Sequence, residues 1–196
     1  MTAKIKLNAA SGGGSFSLQA PSSSANNRVF TLPDSADATM ATVNGITQSD
    51  EWRISTAFNA TTGFITSNWV RNNNEFSLLG SGMTESSGVF TFPATGVYRI
   101  VFYIVAYASN KQVRYIGGDI YQTTDNSSYN KRSNGYASLS NDSSAYCSTS
   151  MTNIFDVTNT STHKVKFNID AESEVSFDGS STQNRTYATF TRLGDT

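Results

Sequence analysis

The feature that most constrains this chain is a run of apolar side chains over residues 97–107 that only Arg99 interrupts. Successive side chains of a β-strand point to opposite faces of its sheet, so this run has two faces. One face carries Tyr98, Ile100, Phe102 and Ile104, and the other carries Val97, Val101, Tyr103 and Val105. Both faces are apolar. We therefore expect a strand that is covered on one side by a second sheet and on the other by a neighbouring chain.

The composition favours strands and turns throughout. Ser (29), Thr (24) and Asn (18) are abundant among the 196 residues, and charged residues make up only 15%. Thr, Tyr, Phe and Val favour strands, Ser, Asn and Gly favour turns, and no segment shows helical periodicity. Short strands at this spacing predict an all-β sandwich or jelly roll. Within it, Gly117-Gly118 predicts a bulge or bend, and residues 122–146, rich in Ser, Asn and Tyr, predict long loops.

The apolar pattern divides the chain into an N-terminal arm, residues 1–45, and a sandwich domain, residues 51–196. The arm has three strand-length runs separated by Gly- and Ser-rich turns, with the apolar residues Ile5, Leu7, Phe16, Leu18, Phe30 and Leu32. Six such residues are too few to cover a stable core. The arm therefore needs a partner surface, which could be its own second domain, neighbouring copies or a host structure; otherwise it is a loose extension.

Charge and cysteine content exclude several classes of protein. A net charge of −1 argues against a nucleic-acid partner. One cysteine, Cys147, and one histidine, His163, cannot form an internal disulfide or a structural zinc site. No apolar stretch approaches the roughly 18 residues of a membrane helix, and the N-terminus lacks the apolar core of a signal peptide. We expect no membrane partner and assembly in a reducing compartment.

The side chains that could carry chemistry are sparse. The lone His163 precedes a strand and lacks the pattern of a hydrolase triad, so we expect no catalytic residue there. Asp170, Glu172 and Glu174 share strand parity. They could hold a calcium ion, or the two glutamates could act as a glycosidase pair, but a solvated strand or loop face is the simpler explanation. We therefore predict no cofactor, with calcium as the one candidate.

Tyrosines recur in and near the polar region that follows residue 113. Rigid rings beside adaptable Ser and Asn side chains make a good recognition surface, including one for sugars. Partly buried loop anchors would give the same pattern. The residues that we predict for possible ligand-binding loops are Tyr121, Tyr129, Tyr136 and Tyr146.

Residues 88–102 resemble the core signature of C1q/TNF-like jelly rolls. Phe90, Pro93, Gly96, Tyr98 and Phe102 stand at the spacings of that signature. Residues 54–58 are similar to the family's opening strand and residues 189–193 to its closing strand, although the usual Gly-Asp before the penultimate strand is replaced at 159–163. The resemblance implies a jelly roll that forms trimers. The residues expected in its core and trimer packing are Phe90, Phe92, Tyr98, Ile100, Phe102 and Ile104.

The N-terminal arm resembles a segment of bacteriophage tail-fibre and virion proteins, especially those of marine phages. The residues that carry this likeness are 4–8, 12–21 and 28–34. It implies short β elements that intertwine in trimers. Together the two resemblances predict a non-enzymatic homotrimeric virion protein, a capsid decoration protein or short head fibre bound to another virion protein. The alternatives are a tail-fibre tip or accessory adhesin that binds host surface glycan, and a glycan depolymerase that uses Glu172 and Glu174.

Overall fold

A computed structural model describes residues 4–8, 11–13, 15–19, 45–74 and 78–196. The chain divides into two units, Met1–Thr42 and Val43–Thr196. In the first unit, β1 (Lys4–Asn8) and β2 (Ser15–Gln19) form an antiparallel hairpin. Its register pairs Ile5 with Leu18 and Leu7 with Phe16. The third predicted run, with Phe30 and Leu32, lies outside the described residues.

The second unit is an all-β jelly roll, as the sequence predicts. Its strands are all antiparallel to their neighbours, and no helix among the described residues is long and apolar enough to cross a membrane. The strands are β3 (Ser49–Ile54), β4 (Phe58–Phe64), β5 (Trp69–Arg71), β6 (Thr84–Ser86), β7 (Val89–Thr91), β8 (Gly96–Ala108), β9 (Val113–Thr123), β10 (Asn130–Leu139), β11 (Ala145–Val157), β12 (Lys164–Phe177) and β13 (Tyr187–Gly194).

Hydrogen bonding links these strands into one sheet that folds over on itself. One layer, here named the β8 sheet, contains β11, β8, β13, β3 and β5 in that order. The other, named the β12 sheet, contains β10, β9 and β12, with β4 and β7 on the second edge of β12. The layers join where Ser176 and Phe177 of β12 pair with Tyr107 and Ala106 of β8.

The core lies between the two layers and is dominated by aromatic rings. Phe102 of β8 packs against Phe167 of β12 with ring centroids 4.7 Å apart, and Phe90 packs against Phe190 at 5.2 Å. Each such side chain contributes about 1.5–3 kcal/mol when fully buried. All six residues predicted for the core are buried: Phe90, Phe92, Tyr98, Ile100, Phe102 and Ile104.

Residues 122–146 do not form long loops, so that expectation is wrong. Residues 130–139 are strand β10, which pairs with β9 along its length. A strand at the edge of a sheet tolerates Ser, Asn and Lys because its outer face and its free edge are hydrated. The composition of such a strand therefore cannot be distinguished from that of a loop.

The expected bulge at Gly117-Gly118 is also wrong. Gly117 pairs with Tyr136 and Gly118 with Gly135, and the register shifts of this pair of strands fall elsewhere. A Cβ atom on Gly117 would lie 2.3 Å from Cδ1 of Tyr136. Glycine is needed here because the Tyr136 ring lies across the strand at this point, where a larger residue would clash.

Candidate functional site

The outer face of β8 is apolar along most of its length. Alternation buries the even-numbered residues of this strand in the core and turns the odd-numbered ones outward, where all are half-buried except Arg99, which is exposed. We name this surface the β8 face. It consists of Val97, Val101, Tyr103, Val105 and Tyr107.

Small side chains flank the β8 face. Val105, Tyr103 and Val101 pair with Ser148, Ser150 and Thr152 of β11, all of which are exposed. On the β13 side, Tyr187 lies beside Tyr103 with a centroid distance of 5.3 Å. Short neighbours leave the apolar residues of the β8 face accessible to another surface, while they keep the face nearly flat.

The predicted trimer-packing residues need a correction. The six of them, Phe90, Phe92, Tyr98, Ile100, Phe102 and Ile104, are at most 2% exposed and lie between the two layers of one chain. They cannot contact a second copy. The residues of β8 that can do so have the opposite parity, because a strand directs alternate side chains to opposite faces.

The outer face of the β12 sheet combines aromatic rings with lysines. We name the group of Phe64, Tyr121, Tyr129, Lys131 and Lys166 the tyrosine–lysine face. The register places Lys131, Tyr121 and Lys166 side by side on three adjacent strands. The two lysine backbones are therefore about 10 Å apart, twice the spacing between neighbouring strands.

Contacts within this face are mostly between cations and rings. The Lys166 Nζ atom lies 4.1 Å from the ring centroid of Tyr129 and 5.3 Å from that of Phe64. Phe64 meets Tyr121 edge to face at 5.0 Å and is 42% exposed. Burial, with a smaller effect of Asp125, raises the pKa of Tyr129. An ammonium group over a ring is attracted by the negative charge of the ring's face.

A buried carboxylate supports the tyrosine–lysine face from below. Asp119 is only 1% exposed, and its Oδ1 atom lies 2.9 Å from Nζ of Lys131. The Nδ2 atom of Asn168 donates a hydrogen bond to the other oxygen of Asp119 at 2.9 Å. Hydrogen bonding to Asp119 raises the pKa of Lys131, so this lysine is held in its charged form.

The four predicted ligand tyrosines do not form one loop cluster. Only Tyr129 lies in a loop, whereas Tyr121, Tyr136 and Tyr146 lie in β9, β10 and β11. Tyr121 and Tyr129 belong to the tyrosine–lysine face. Tyr136 is on the same side of the sheet, where its hydroxyl donates to Asp170 at 3.4 Å. Tyr146 is on the β8 sheet, packed against Tyr107 at 4.8 Å.

Sequence reasoning missed Phe64 and Lys166 as members of this face. Phe64 ends β4, and its place beside Asn168 depends on a pairing between strands about 100 residues apart in the chain. No local pattern marks Phe64. The one signal in the sequence is the alternation of β12, which places Lys166 and Asn168 on its outer face.

The three acidic residues considered for calcium are engaged separately. Nε of Arg114 contacts Oε1 of Glu172 at 2.5 Å, whereas Asp170 accepts a hydrogen bond from the hydroxyl of Tyr136. Glu174 is exposed, and a register shift lies between Asp170 and Val175. Within the described residues, no three His, Cys, Asp or Glu side chains are grouped so that they could hold a metal ion.

The remaining candidates for chemistry have structural surroundings. Hydrogen bonds from Arg114 lower the pKa of Glu172, the opposite of what a general acid needs. His163 lies between the hydroxyls of Thr158 and Thr162 and stacks on Phe155 at 5.4 Å. Burial raises the pKa of Cys147 to about 11, so its thiol stays protonated.

Comparison with known proteins identifies the fold. No protein-family model matches the chain, and no curated protein matches it. Among solved structures, it is similar to murine APRIL at pH 5.0, with 13% identity and a TM-score of 0.55, over 74% of this chain and 98% of that one. It is also similar to the Eiger TNF of S. frugiperda, with 11% identity and a TM-score of 0.53, over 78% and 96%. At such identities the likeness establishes a TNF-like jelly-roll fold alone.

Proposed function

We propose that this TNF-like jelly roll is a non-enzymatic structural protein of the bacteriophage virion surface, a homotrimer that decorates the capsid or forms a short head fibre. The observation that carries the trimer is the β8 face. It presents half-buried valines and tyrosines, flanked by small Ser and Thr side chains, on the outside of a sheet. A largely apolar surface of this kind, which only Arg99 interrupts, is typical of the interfaces of stable oligomers.

The virion part of the proposal rests on the N-terminal arm. Besides its resemblance to virion proteins, the arm forms a hairpin whose register pairs Ile5 with Leu18 and Leu7 with Phe16. An isolated two-stranded hairpin is at best marginally stable in water, so the arm needs a partner. With Phe30 and Leu32, the six apolar side chains of one arm become eighteen in a trimer. At about 1.5–3 kcal/mol for each one fully buried, they can offset the cost of ordering the arm.

Two measurements test this proposal. Light scattering on the full chain should give three times the chain mass of 21.2 kDa, and a monomer would overturn the trimer. A gold-labelled antibody on purified phage particles should mark the head. Label on the tail would move the protein to host attachment, and unlabelled particles would refute the virion role.

A second candidate function is an accessory adhesin for host surface glycan, at a tail-fibre tip or on the head. The tyrosine–lysine face is the observation that favours it, because rings and hydrogen-bonding side chains are exposed together there. A glycan array and adsorption assays would test it: normal adsorption by Tyr121→Ala and Tyr129→Ala particles would count against it.

We propose no depolymerase activity. The glycosidase alternative requires Glu172 and Glu174 to act as a pair, whereas Glu172 is bound to Arg114 and its pKa is lowered. Turnover of host polysaccharide that is lost in Glu172→Gln and Glu174→Gln proteins would contradict this.

A further inference from the structure

We infer that the tyrosine–lysine face binds an anionic saccharide, a sugar chain that carries carboxylate or sulfate groups. This inference rests on the recognition function that is the second candidate above, and it names the ligand class of that site. Its elements are two ammonium groups, the rings of three aromatic residues and a set of amide side chains on neighbouring strands.

The charge of Lys166 points to an anion. No carboxylate of the described residues lies within ion-pair distance of its Nζ atom, which is placed instead over the rings of Tyr129 and Phe64. Lys131 differs, because Asp119 already neutralises it. Lys166 therefore brings a positive charge that is not compensated by a carboxylate, and an acidic group on a ligand complements it.

The rings argue for a saccharide rather than a free anion. Phe64 is 42% exposed and stands edge to face against Tyr121. An exposed ring presents a negative face to the C–H groups of a sugar ring, whereas an inorganic anion gains nothing from it. Asn168 and Asn134 flank the buried Asp119 in the next row of the sheet and can hydrogen-bond to sugar hydroxyls.

The position of this face is compatible with the proposed trimer. The tyrosine–lysine face is on the outside of the β12 sheet, and the β8 face is on the outside of the other layer of the same sandwich. A trimer built on the β8 face leaves the tyrosine–lysine face open. Both functions can therefore belong to one assembled protein.

The test uses the full chain and three defined polymers, namely polygalacturonate, dextran sulfate and uncharged dextran, in titration calorimetry at constant ionic strength. Binding to polygalacturonate alone identifies a carboxylate as the acidic group, binding to dextran sulfate alone identifies a sulfate, and either result supports the inference. Equal binding to uncharged dextran, or no binding to any polymer, overturns it.

Variants separate the site from general charge effects. Lys166→Gln and Phe64→Ala should each weaken binding about tenfold, the loss of one charge-assisted or stacking contact. The matched control is Lys111→Gln, which removes the same charge from a residue whose Nζ atom donates to the Glu174 carbonyl oxygen. Equal losses in Lys166→Gln and Lys111→Gln would overturn the inference.

A competition experiment and the mass of the protein separate the remaining alternatives. Inorganic polyphosphate should compete poorly with the bound polysaccharide. If it displaces the bound polysaccharide as effectively as an excess of the same polysaccharide does, the rings play no part in binding and the inference of a saccharide ligand is wrong. A protein of trimeric mass that binds none of the polymers would refute this site and leave the structural role of the trimer standing.

Discussion

The two outer faces of this sandwich share one geometry and differ in chemistry. Both belong to antiparallel sheets whose inner faces enter a common aromatic core. The β8 face presents valine and tyrosine beside Ser and Thr, whereas the tyrosine–lysine face presents rings beside lysines and a buried aspartate. The inner faces must be apolar for the chain to fold, so only the outer faces are free to specialise. One suits a dry contact between proteins, and the other suits a hydrated, charged ligand.

The largest effect should follow from a change on the inner side of β8. Phe102 is fully buried against Phe167 and Trp69. Phe102→Ala should lower the free energy of unfolding by about 3–5 kcal/mol, because it leaves a cavity in the centre of the core. Urea unfolding measures this. Val101→Ala, on the opposite side of the same strand, is the control and should cost the isolated jelly roll much less. Equal losses would contradict the assignment of the two faces.

A charge on the β8 face should separate assembly from folding. Val101→Lys places an ammonium group between Thr152 and Thr189, at the centre of the face. Burying that charge unpaired in an interface costs several kcal/mol, so we expect the mass to fall from trimer to monomer while the circular dichroism stays that of a β-protein. Asn134→Lys, on the tyrosine–lysine side, is the control and should remain trimeric. A trimeric Val101→Lys protein would show that another surface carries the contact.

The buried carboxylate of the β12 sheet should make that face sensitive to the loss of a single lysine. Lys131→Ala leaves Asp119 inside the protein with only the Asn168 amide as partner, at a cost of about 1–3 kcal/mol. Adding Asp119→Asn should recover part of this loss, because no charge then remains buried. Thermal unfolding of the single and double variants measures it. If the double variant is no more stable than the single one, the pair does not act through charge.

The smallest effect should be a pH dependence of stability at the start of β9, where Arg114 contacts Glu172 of β12. Hydrogen bonds from Arg114 lower the pKa of Glu172 in the folded chain. Glu172 therefore adds stability above its pKa in the unfolded chain, and this is lost as the pH falls through its lower folded pKa. Arg114→Gln removes the side-chain hydrogen bond but keeps the bond from the backbone N–H of residue 114, which is the larger cause of the lowered pKa. It should therefore reduce the loss of stability at acid pH only in part, measured by urea unfolding across a pH series. Glu172→Gln should reduce this loss further, and the two changes together should do no more than Glu172→Gln alone. Unchanged acid sensitivity would show that the exposed pair contributes nothing.

How far the sequence predicts this molecule depends on whether a feature is local. The alternation of residues 97–107 predicts a strand with Tyr98, Ile100, Phe102 and Ile104 on one face, because alternation along one strand needs no partner. The resemblance of residues 88–102 to C1q/TNF-like jelly rolls adds Phe90 and Phe92 and implies the jelly roll. The polar strand β10 was missed because an edge strand and a loop share a composition. The sequence predicted only part of the tyrosine–lysine face. Tyr121 and Tyr129 stand out as aromatic residues in a polar region, whereas Phe64 joins the face only through the pairing of β4 with β12.

The sequence by itself determined the all-β fold and which residues share a face of a strand, since burying alternate apolar side chains is the main driving force available to this chain. Only the structure decided that the even-numbered face of β8 is the inner one. Only the tertiary structure decided which outward residues become neighbours. Lys131, Tyr121 and Lys166 come from three strands, and their meeting depends on register, where a slip of one residue would turn each side chain to the other face. The physical reason is that burial is a property of each residue in its strand, whereas a site is a property of how strands are aligned.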